Sequence, residues 1–256
     1  MLLIKNAKLY TPKFVGKKDI LVAGEKIIHI DDEINITNSF IKIIDVSKYI
    51  AIPGFIDKHV HITGGGGEGG FSSRAPEITL SRLIDGGITT VVGLLGTDST
   101  TRSVENLVAK AYALKEEGIS CYAHTGAYAF PSPTLTNSIE KDIVFIEPII
   151  GIKLAISDHR SASITKDELA KIASTGRVSG MIAKKSGHIT LHVGDGKKGL
   201  DLIYEVLSEF DIPITFFQPT HVNRNERLFD QGKQFLKDGG YVDLTCYSQD
   251  RFTPLK

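Results

Sequence analysis

The sequence lacks the features that would assign it to a membrane, secreted or nucleic-acid-binding class. It has no apolar run of the roughly 20 residues that cross a bilayer. Its 30 Lys and Arg balance its 30 Asp and Glu, so no overall field favours nucleic acid or an anionic membrane as a partner. The start, residues 1–6, carries a charge too early for a secretory signal peptide. We therefore expect a cytoplasmic protein.

Cysteine is scarce as well. The only two, Cys121 and Cys246, stand in apolar strand-like runs, which predicts that both are small hydrophobic core residues. The composition is otherwise that of an ordinary soluble protein, with 41% hydrophobic and 23% charged residues. A chain of 256 residues can form one large domain, or a large domain with a small one.

Residues 1–50 differ from the rest of the chain in pattern. Short β-rich runs separated by turn residues predict a small β-sandwich module in this block. The runs cover 2–10, 19–22, 26–31 and 40–45.

Residues 51–256 alternate strand-like runs with helical patterns, which predicts right-handed βαβ units on a parallel sheet. Counting the run at residue 52 as the first strand gives seven β units, whereas a (β/α)8 TIM barrel has eight. We expect either a TIM-type barrel with about seven units or another α/β sheet. After the first, the predicted strands are 88–95, 119–128, 149–156, 188–193, 214–220 and 241–246, and the predicted helices are 76–83, 104–117, 166–173, 197–210 and 225–237.

The end of the first predicted strand carries two histidines. His59 and His61 are separated by one residue in Asp57-Lys58-His59-Val60-His61, and a glycine run, 64–67, follows. Side chains two apart on a strand point the same way, so both imidazoles face one spot. Converging imidazoles are typical ligands of a transition metal. Two unrelated histidines on a solvated edge are the alternative.

Three later strands supply further side chains of metal-ligand type. Lys153 stands inside the apolar run 149–156, where a charged amine is costly to bury. It either extends its amine to solvent, pairs with a carboxylate, or loses its proton and reacts with carbon dioxide to form a carbamate that bridges two metals. His192 and His221 end the fifth and sixth strands, and each alone would be an ordinary core or surface histidine.

Together these groups resemble the binuclear amidohydrolase superfamily, and further segments resemble its isoaspartyl (β-aspartyl) dipeptidase family. The segments that carry this resemblance are 59–68, 93–98, 125–128, 153–160 and 219–225. The resemblance runs from residue 1 to about residue 245 and also implies the small β module beside the barrel.

The resemblance implies a site with two zinc ions. His59 and His61 would hold the first ion, His192 and His221 the second, and carboxylated Lys153 would bridge them. Hydroxide between two such ions, about 3.5–4 Å apart, would attack the amide carbonyl. Tyr128, otherwise a core tyrosine, would donate a hydrogen bond to the oxyanion.

The implied substrate is a β-aspartyl dipeptide, which carries an ammonium group and carboxylates. Glu68 suits the ammonium, Arg160 and Arg224 suit carboxylates, and Thr97 adds a hydrogen bond. Without the resemblance, Glu68 and both arginines would be exposed loop charges. Asp158 and His159 are expected to support the site from behind the ligands. The resemblance also implies a homo-oligomer.

One functional residue of the family has no counterpart here. The family has an aspartate at the end of the eighth strand that shuttles the proton to the leaving amine, and this sequence stops before that strand. Asp243 and Asp250 stand in other units. Two alternatives follow: a non-catalytic truncated remnant or half of a split gene, and a cyclic amidase of the dihydroorotase or hydantoinase kind. Glu68 and the two arginines favour the zwitterionic dipeptide over a cyclic amide.

Overall fold

The computed structural model describes residues 1–36 and 38–246. Asp250 therefore lies outside the described residues. The chain divides into two compact units, Met1–Phe55 and Ile56–Lys256.

The first unit contains a five-stranded sheet in the order β3-β2-β1-β4, with β5 also paired to β1. Strands β1, β2 and β3 pair antiparallel, whereas β4 and β5 run parallel to β1. Small apolar clusters, including Leu3, Leu21 and Ile34, are buried against this sheet. Its strands are β1 (Leu2–Tyr10), β2 (Phe14–Ala23), β3 (Lys26–Asp31), β4 (Lys42–Asp45) and β5 (Ile50–Ala51).

The second unit is α/β, as the alternating pattern predicts. Its six strands form one curled parallel sheet in the order β11-β10-β9-β8-β7-β6, which is the half-barrel expected for part of a TIM-type fold. The strands are β6 (Phe55–Val60), β7 (Ile88–Gly93), β8 (Ser120–Gly126), β9 (Ile149–Ile156), β10 (Ile189–Val193) and β11 (Phe217–Thr220). The helices are α1 (Leu80–Asp85), α2 (Val104–Glu116), α3 (Ile139–Phe145), α4 (Lys166–Ala183), α5 (Asp201–Glu209) and α6 (Glu226–Lys237).

The central strands are apolar because both of their sides are buried, one under the helices and the other inside the curled sheet. In β9, every residue except Ile150 is buried, including Lys153. The largest core cluster joins these strands to the helices through residues such as Leu107, Ile152 and Phe235. The carboxyl ends of all six strands therefore meet along one rim, where we expect the site.

Three expectations about elements were wrong. The seventh strand, expected at 241–246, is only an isolated bridge between Asp243 and Thr220, supported by the Asp243 N–H donating to the Pro219 carbonyl at 2.9 Å. The short helix α3 was not expected, because its sequence is too short to show a repeated pattern of apolar residues. Cys121 is buried as expected, but Cys246 is exposed because it lies outside any strand.

None of the described helices combines the length and the apolarity that a bilayer span requires.

Candidate metal centre and active site

The four candidate histidines converge at the rim of the sheet. The rings of His59 and His61 have centroids 5.8 Å apart, and His221 lies 5.0 Å from His59 and 4.8 Å from His192. Lys153 joins them, with its Nζ 3.4 Å from His59 Nε2. The structure thus brings together all five residues that the sequence predicts as metal ligands.

Lys153 is completely buried and has no ion pair with any described residue. Its amine does not reach solvent, and no carboxylate of residues 1–36 and 38–246 pairs with it. Burial lowers the pKa of Lys153 to about 7, against the weaker opposing charge of Asp243. A large neutral fraction near neutral pH makes the amine nucleophilic, which is the condition for carbamate formation.

The neighbouring strand leaves space for Lys153 by means of a glycine. Gly126, at the end of β8, has φ +91°, and a Cβ there would lie 2.4 Å from the Lys153 carbonyl oxygen. A side chain at position 126 would therefore push β8 away from β9 at the centre of the site.

Three of the histidines are held by one ring nitrogen. His61 Nδ1 lies 3.1 Å from the Leu94 carbonyl, and His192 Nε2 lies 2.7 Å from Asp158 Oδ2. His221 Nδ1 is hydrogen-bonded to the Thr245 hydroxyl.

His59 differs from the other three, because its buried Nδ1 has no hydrogen-bond partner among the described residues and lies 3.6 Å from Asp243 Oδ2. Asp243 thus approaches the site from behind His59, a contact that its place in the seventh unit did not suggest. A partner on one nitrogen fixes the ring and its tautomer and leaves the other nitrogen for a metal.

The second nitrogens are suited to a metal. His192 Nδ1 is buried and has no hydrogen-bond partner in the described part of the chain. Burial, with the charge of Lys153 as the next cause, lowers the pKa of His61 to about 4 and that of His192 to about 3. Both imidazoles therefore stay neutral at physiological pH, which is the form that binds metals.

No group of three His, Cys, Asp or Glu side chains surrounds a single point within residues 1–36 and 38–246. The imidazoles instead share Lys153, whose charge lowers the pKa of each of them. A carboxylated lysine would complete each pair of histidines with one oxygen. Four neutral imidazoles around one buried lysine are a donor set of the kind that binds transition metals.

Tyr128 lies directly beside the histidines. Its ring centroid is 4.5 Å from that of His192, and the Lys153 Nζ is 5.8 Å from the tyrosine ring centroid. Burial raises the pKa of Tyr128 well above its usual range, so the hydroxyl keeps its proton. Tyr128 can therefore act as a hydrogen-bond donor at this place.

The candidate substrate-binding charges also meet here. Arg160 Nη1 lies 3.2 Å from Glu68 Oε1, and the guanidinium lies 5.6 Å from the Tyr128 ring centroid. Glu68 and Thr97 line a cavity of about 50 Å³ together with His61 and Tyr128. The Glu68 backbone N–H, and then Thr97 and Arg160, lower the pKa of Glu68. Both charges are therefore present at neutral pH.

Arg224 lies near the same histidines, with its side chain as exposed as that of Arg160. Its Nε is 3.8 Å from Oδ1 of the exposed Asp195. Its charge nevertheless lowers the pKa of both His192 and His221. Behind the ligands, Asp158 contacts His192, whereas the His159 side chain is 89% exposed.

Arg102 is a supporting residue that the sequence did not reveal. Its buried guanidinium donates to the carbonyls of Thr63, Gly65 and Ala75 at 3.0–3.1 Å and pairs with Asp98 at 3.0 Å. These contacts hold the glycine loop that carries Glu68. No motif marks Arg102, because its targets are backbone carbonyls.

Comparison with known proteins gives the family. The model of the amidohydrolase family matches residues 50–244. The crystal structure of a β-aspartyl dipeptidase from Fervidobacterium islandicum AW-1, in complex with β-Asp-Leu, superposes with a TM-score of 0.95 at 45% identity. That match covers 99% of this chain and 67% of the other. A D-hydantoinase from Thermus sp. shares the fold, with a TM-score of 0.64 at 19% identity over 95% of this chain and 57% of the other.

Among curated relatives, a dihydroorotase from Clostridium acetobutylicum is 37% identical over 110 residues, which are 42% of this chain. The match spans only 25% of that dihydroorotase.

Proposed function

Because this chain belongs to the amidohydrolase family, we propose that it hydrolyses β-aspartyl dipeptides with two zinc ions. The similarity to the β-aspartyl dipeptidase of F. islandicum supports this proposal over nearly the whole chain. Under it, His59, His61, His192 and His221 hold the ions and carboxylated Lys153 is shared between them. When bound, the ions supply activation of the attacking water and polarisation of the amide carbonyl.

The observation that carries the substrate assignment is the pair formed by Glu68 and Arg160. A carboxylate and a guanidinium lie 3.2 Å apart, next to Tyr128 and the histidines. A ligand that enters between them separates Glu68 from Arg160, so it must supply an ammonium or leave the Glu68 charge unpaired. Arg160 keeps its pairing with Asp158 and can take a carboxylate of the ligand as well. A β-aspartyl dipeptide supplies both groups close to its scissile bond.

The remaining residues would act on the reacting amide and on the rest of the substrate. Tyr128, which keeps its proton, donates to the oxygen on which negative charge develops. Arg224 takes a second carboxylate, and Thr97 donates from the wall of the cavity.

A cyclic amidase is the second candidate, because the curated dihydroorotase is 37% identical over 110 residues. Dihydroorotate carries a carboxylate for Arg160 but has no ammonium group for Glu68. A cyclic substrate would therefore leave the Glu68 charge unpaired, which disfavours this candidate.

The test is a substrate panel offered to the zinc-loaded chain in bicarbonate buffer. We expect hydrolysis of β-Asp-Leu and no hydrolysis of α-Asp-Leu or dihydroorotate. Glu68→Gln should lower kcat/KM for β-Asp-Leu roughly 10- to 100-fold, since a hydrogen bond to a charged group is worth about 1.5–3 kcal/mol. Glu77→Gln is the matched control, since Glu77 pairs with Lys110 at 3.5 Å and does not line the cavity that Glu68 lines. Ring opening of dihydroorotate without cleavage of β-Asp-Leu would contradict the proposal.

A further inference from the structure

The carboxylate of Asp158 touches both a candidate metal ligand and a candidate substrate-binding residue. Asp158 Oδ2 lies 2.7 Å from His192 Nε2 and 2.8 Å from Arg160 Nη2, while Oδ1 accepts from Arg160 Nε at 2.9 Å. We propose that Asp158 is a positioning residue that couples metal binding at His192 to binding of the substrate carboxylate at Arg160. This inference rests on the proposed function for the identity of the substrate.

The position of Asp158 is fixed from several directions. Its Oδ1 also accepts from the Arg160 backbone N–H at 2.9 Å, so the loop after β9 closes on its own side chain. Position 194, just after β10, must be glycine, because a Cβ there would lie 2.6 Å from Asp158 Oδ2. The Asp158 side chain is only 3% exposed. Because the carboxylate is held in this way, a change in its hydrogen bonds to Arg160 alters its hydrogen bond to His192.

On the metal side, Asp158 selects the nitrogen of His192 that a metal can use. With Nε2–H donating to Asp158, the lone pair is on Nδ1, which is buried and has no other partner among the described residues. A carboxylate behind a ligating histidine fixes the ring and raises its basicity as a ligand.

On the substrate side, Asp158 holds the guanidinium by two parallel hydrogen bonds. This geometry directs Nη1 of Arg160 toward Glu68 at 3.2 Å, while Nη2 lies 3.5 Å from His192 Nε2. The Arg160 guanidinium in turn lowers the pKa of Asp158 far below its usual range.

The two sides compete for one oxygen, Oδ2. When a ligand carboxylate binds Arg160, the guanidinium donates less to Asp158, and Asp158 becomes a stronger acceptor for His192. The imidazole then binds its metal more tightly. By linkage, the metal must tighten carboxylate binding by the same factor. Positive coupling between zinc and carboxylate is therefore expected.

The test measures zinc affinity by chelator competition, with and without L-aspartate as the carboxylate probe. Asp158→Asn should weaken binding of one of the two zinc ions about 10- to 100-fold, raise KM for β-Asp-Leu and abolish the effect of aspartate. Asp195→Asn is the matched control, because Asp195 faces Arg224 at 3.8 Å and pairs with no histidine of the described residues, so zinc affinity should not change. Chelation by free aspartate is identical for all variants and cancels.

Arg160→Lys provides a second variant in case Asp158→Asn does not fold. Lysine keeps the charge but cannot form the paired hydrogen bonds, so Asp158 Oδ2 is freed for His192; zinc affinity should rise although Arg160 is not a ligand, and aspartate should no longer change it. Unchanged zinc affinity in the folded variants, or the same aspartate effect in Asp158→Asn as in the wild type, would overturn the inference. Failure of the wild type to cleave β-Asp-Leu would instead contradict the proposed function, while the zinc measurements would still decide the coupling.

Discussion

At the scale of single residues, Lys153 determines the chemistry of the site. It is the only lysine of the described residues that is fully buried, and its charge acts on all four histidines. In its protonated form it would repel metals, whereas in its carboxylated form it would bind them. Under the proposed function, carbon dioxide would therefore control metal content through this residue.

We predict that Lys153→Met abolishes binding of both zinc ions, since each ion loses the ligand that it shares. Zinc per chain, measured by mass spectrometry of metal-loaded protein, checks this. Lys185→Met is the control: its Nζ donates to the carbonyls of Ile143 and Ile146 at 2.7 Å, away from the histidines. That variant should lose stability and keep its zinc. Retention of zinc by Lys153→Met would contradict the role of Lys153.

Tyr128→Phe should lower kcat roughly 10²- to 10³-fold, as expected when an oxyanion donor is removed. Zinc content should stay the same, because Tyr128 touches His192 only through its ring, which Phe retains. Steady-state kinetics on β-Asp-Leu give the result, and an unchanged kcat would rule out this role.

The buried histidines predict how the stability of the metal-free chain depends on pH. The pKa of His61 is lowered to about 4 in the folded state from an ordinary 6.5, so between these values the unfolded chain binds the proton and the folded chain does not. The contribution of His61 to stability is therefore present above pH 6.5 and is lost as pH falls toward 4. His192 extends the same window down to about pH 3.

Urea unfolding in chelator between pH 4 and 7.5 should show this loss, and His61→Gln should reduce it. His29→Gln is the control, because the side chain of His29 is 57% exposed on β3. An identical pH dependence in His61→Gln and the wild type would show that this histidine does not contribute.

At the scale of elements, the site depends on loops that the strands anchor at one rim. The glycine loop 63–67 has few side chains of its own to hold it, and Arg102 supplies the contacts by donating to three of the surrounding carbonyls. Glu68 follows that loop directly, so its position depends on Arg102.

We predict that Arg102→Met lowers the free energy of unfolding by about 1–3 kcal/mol, because carbonyls that are now satisfied become unpaired. KM for β-Asp-Leu should rise with it, because Glu68 is no longer positioned. Arg177→Met, which removes one surface hydrogen bond to the Asp211 carbonyl at 3.2 Å, should change neither measurably. Equal effects of the two substitutions would show that the hydrogen bonds from Arg102 to the loop are unimportant.

How well the sequence predicts each strand or helix depends on how clear the apolar pattern in its residues is. The strand expected at 149–156 coincides with β9 because a continuous apolar run is a strong strand signal. Helix α4 extends ten residues beyond the expected end at 173, because Gly176 and Gly180 obscure the periodicity while their small size permits close packing. The expected seventh strand forms only one bridge, because the Asn223 side chain takes both backbone groups of Thr245 that would continue the ladder.

The candidate site is only partly predictable for a similar reason. His59, His61, Lys153, His192 and His221 can be found because side chains at strand ends meet on one rim whatever the details of packing. Arg102 and the dual contact of Asp158 depend on the course of loops, which sequence patterns do not specify.

At the scale of the whole molecule, all five candidate ligands belong to the unit Ile56–Lys256. The family match covers most of this unit, and the chain spans about two thirds of the F. islandicum enzyme, at 67%. The ligand set and the charged pair Glu68 and Arg160 are therefore contributed by one compact unit. Metal binding can be measured on the chain without assuming any substrate.

The most direct test of the binuclear centre is native mass spectrometry of the chain reconstituted with zinc and bicarbonate. We predict a mass increase equal to two zinc ions and one carbon dioxide per chain, with the carbon dioxide lost in Lys153→Met. A chain that binds no zinc, or that binds two zinc ions equally well in Lys153→Met, would contradict the assignment.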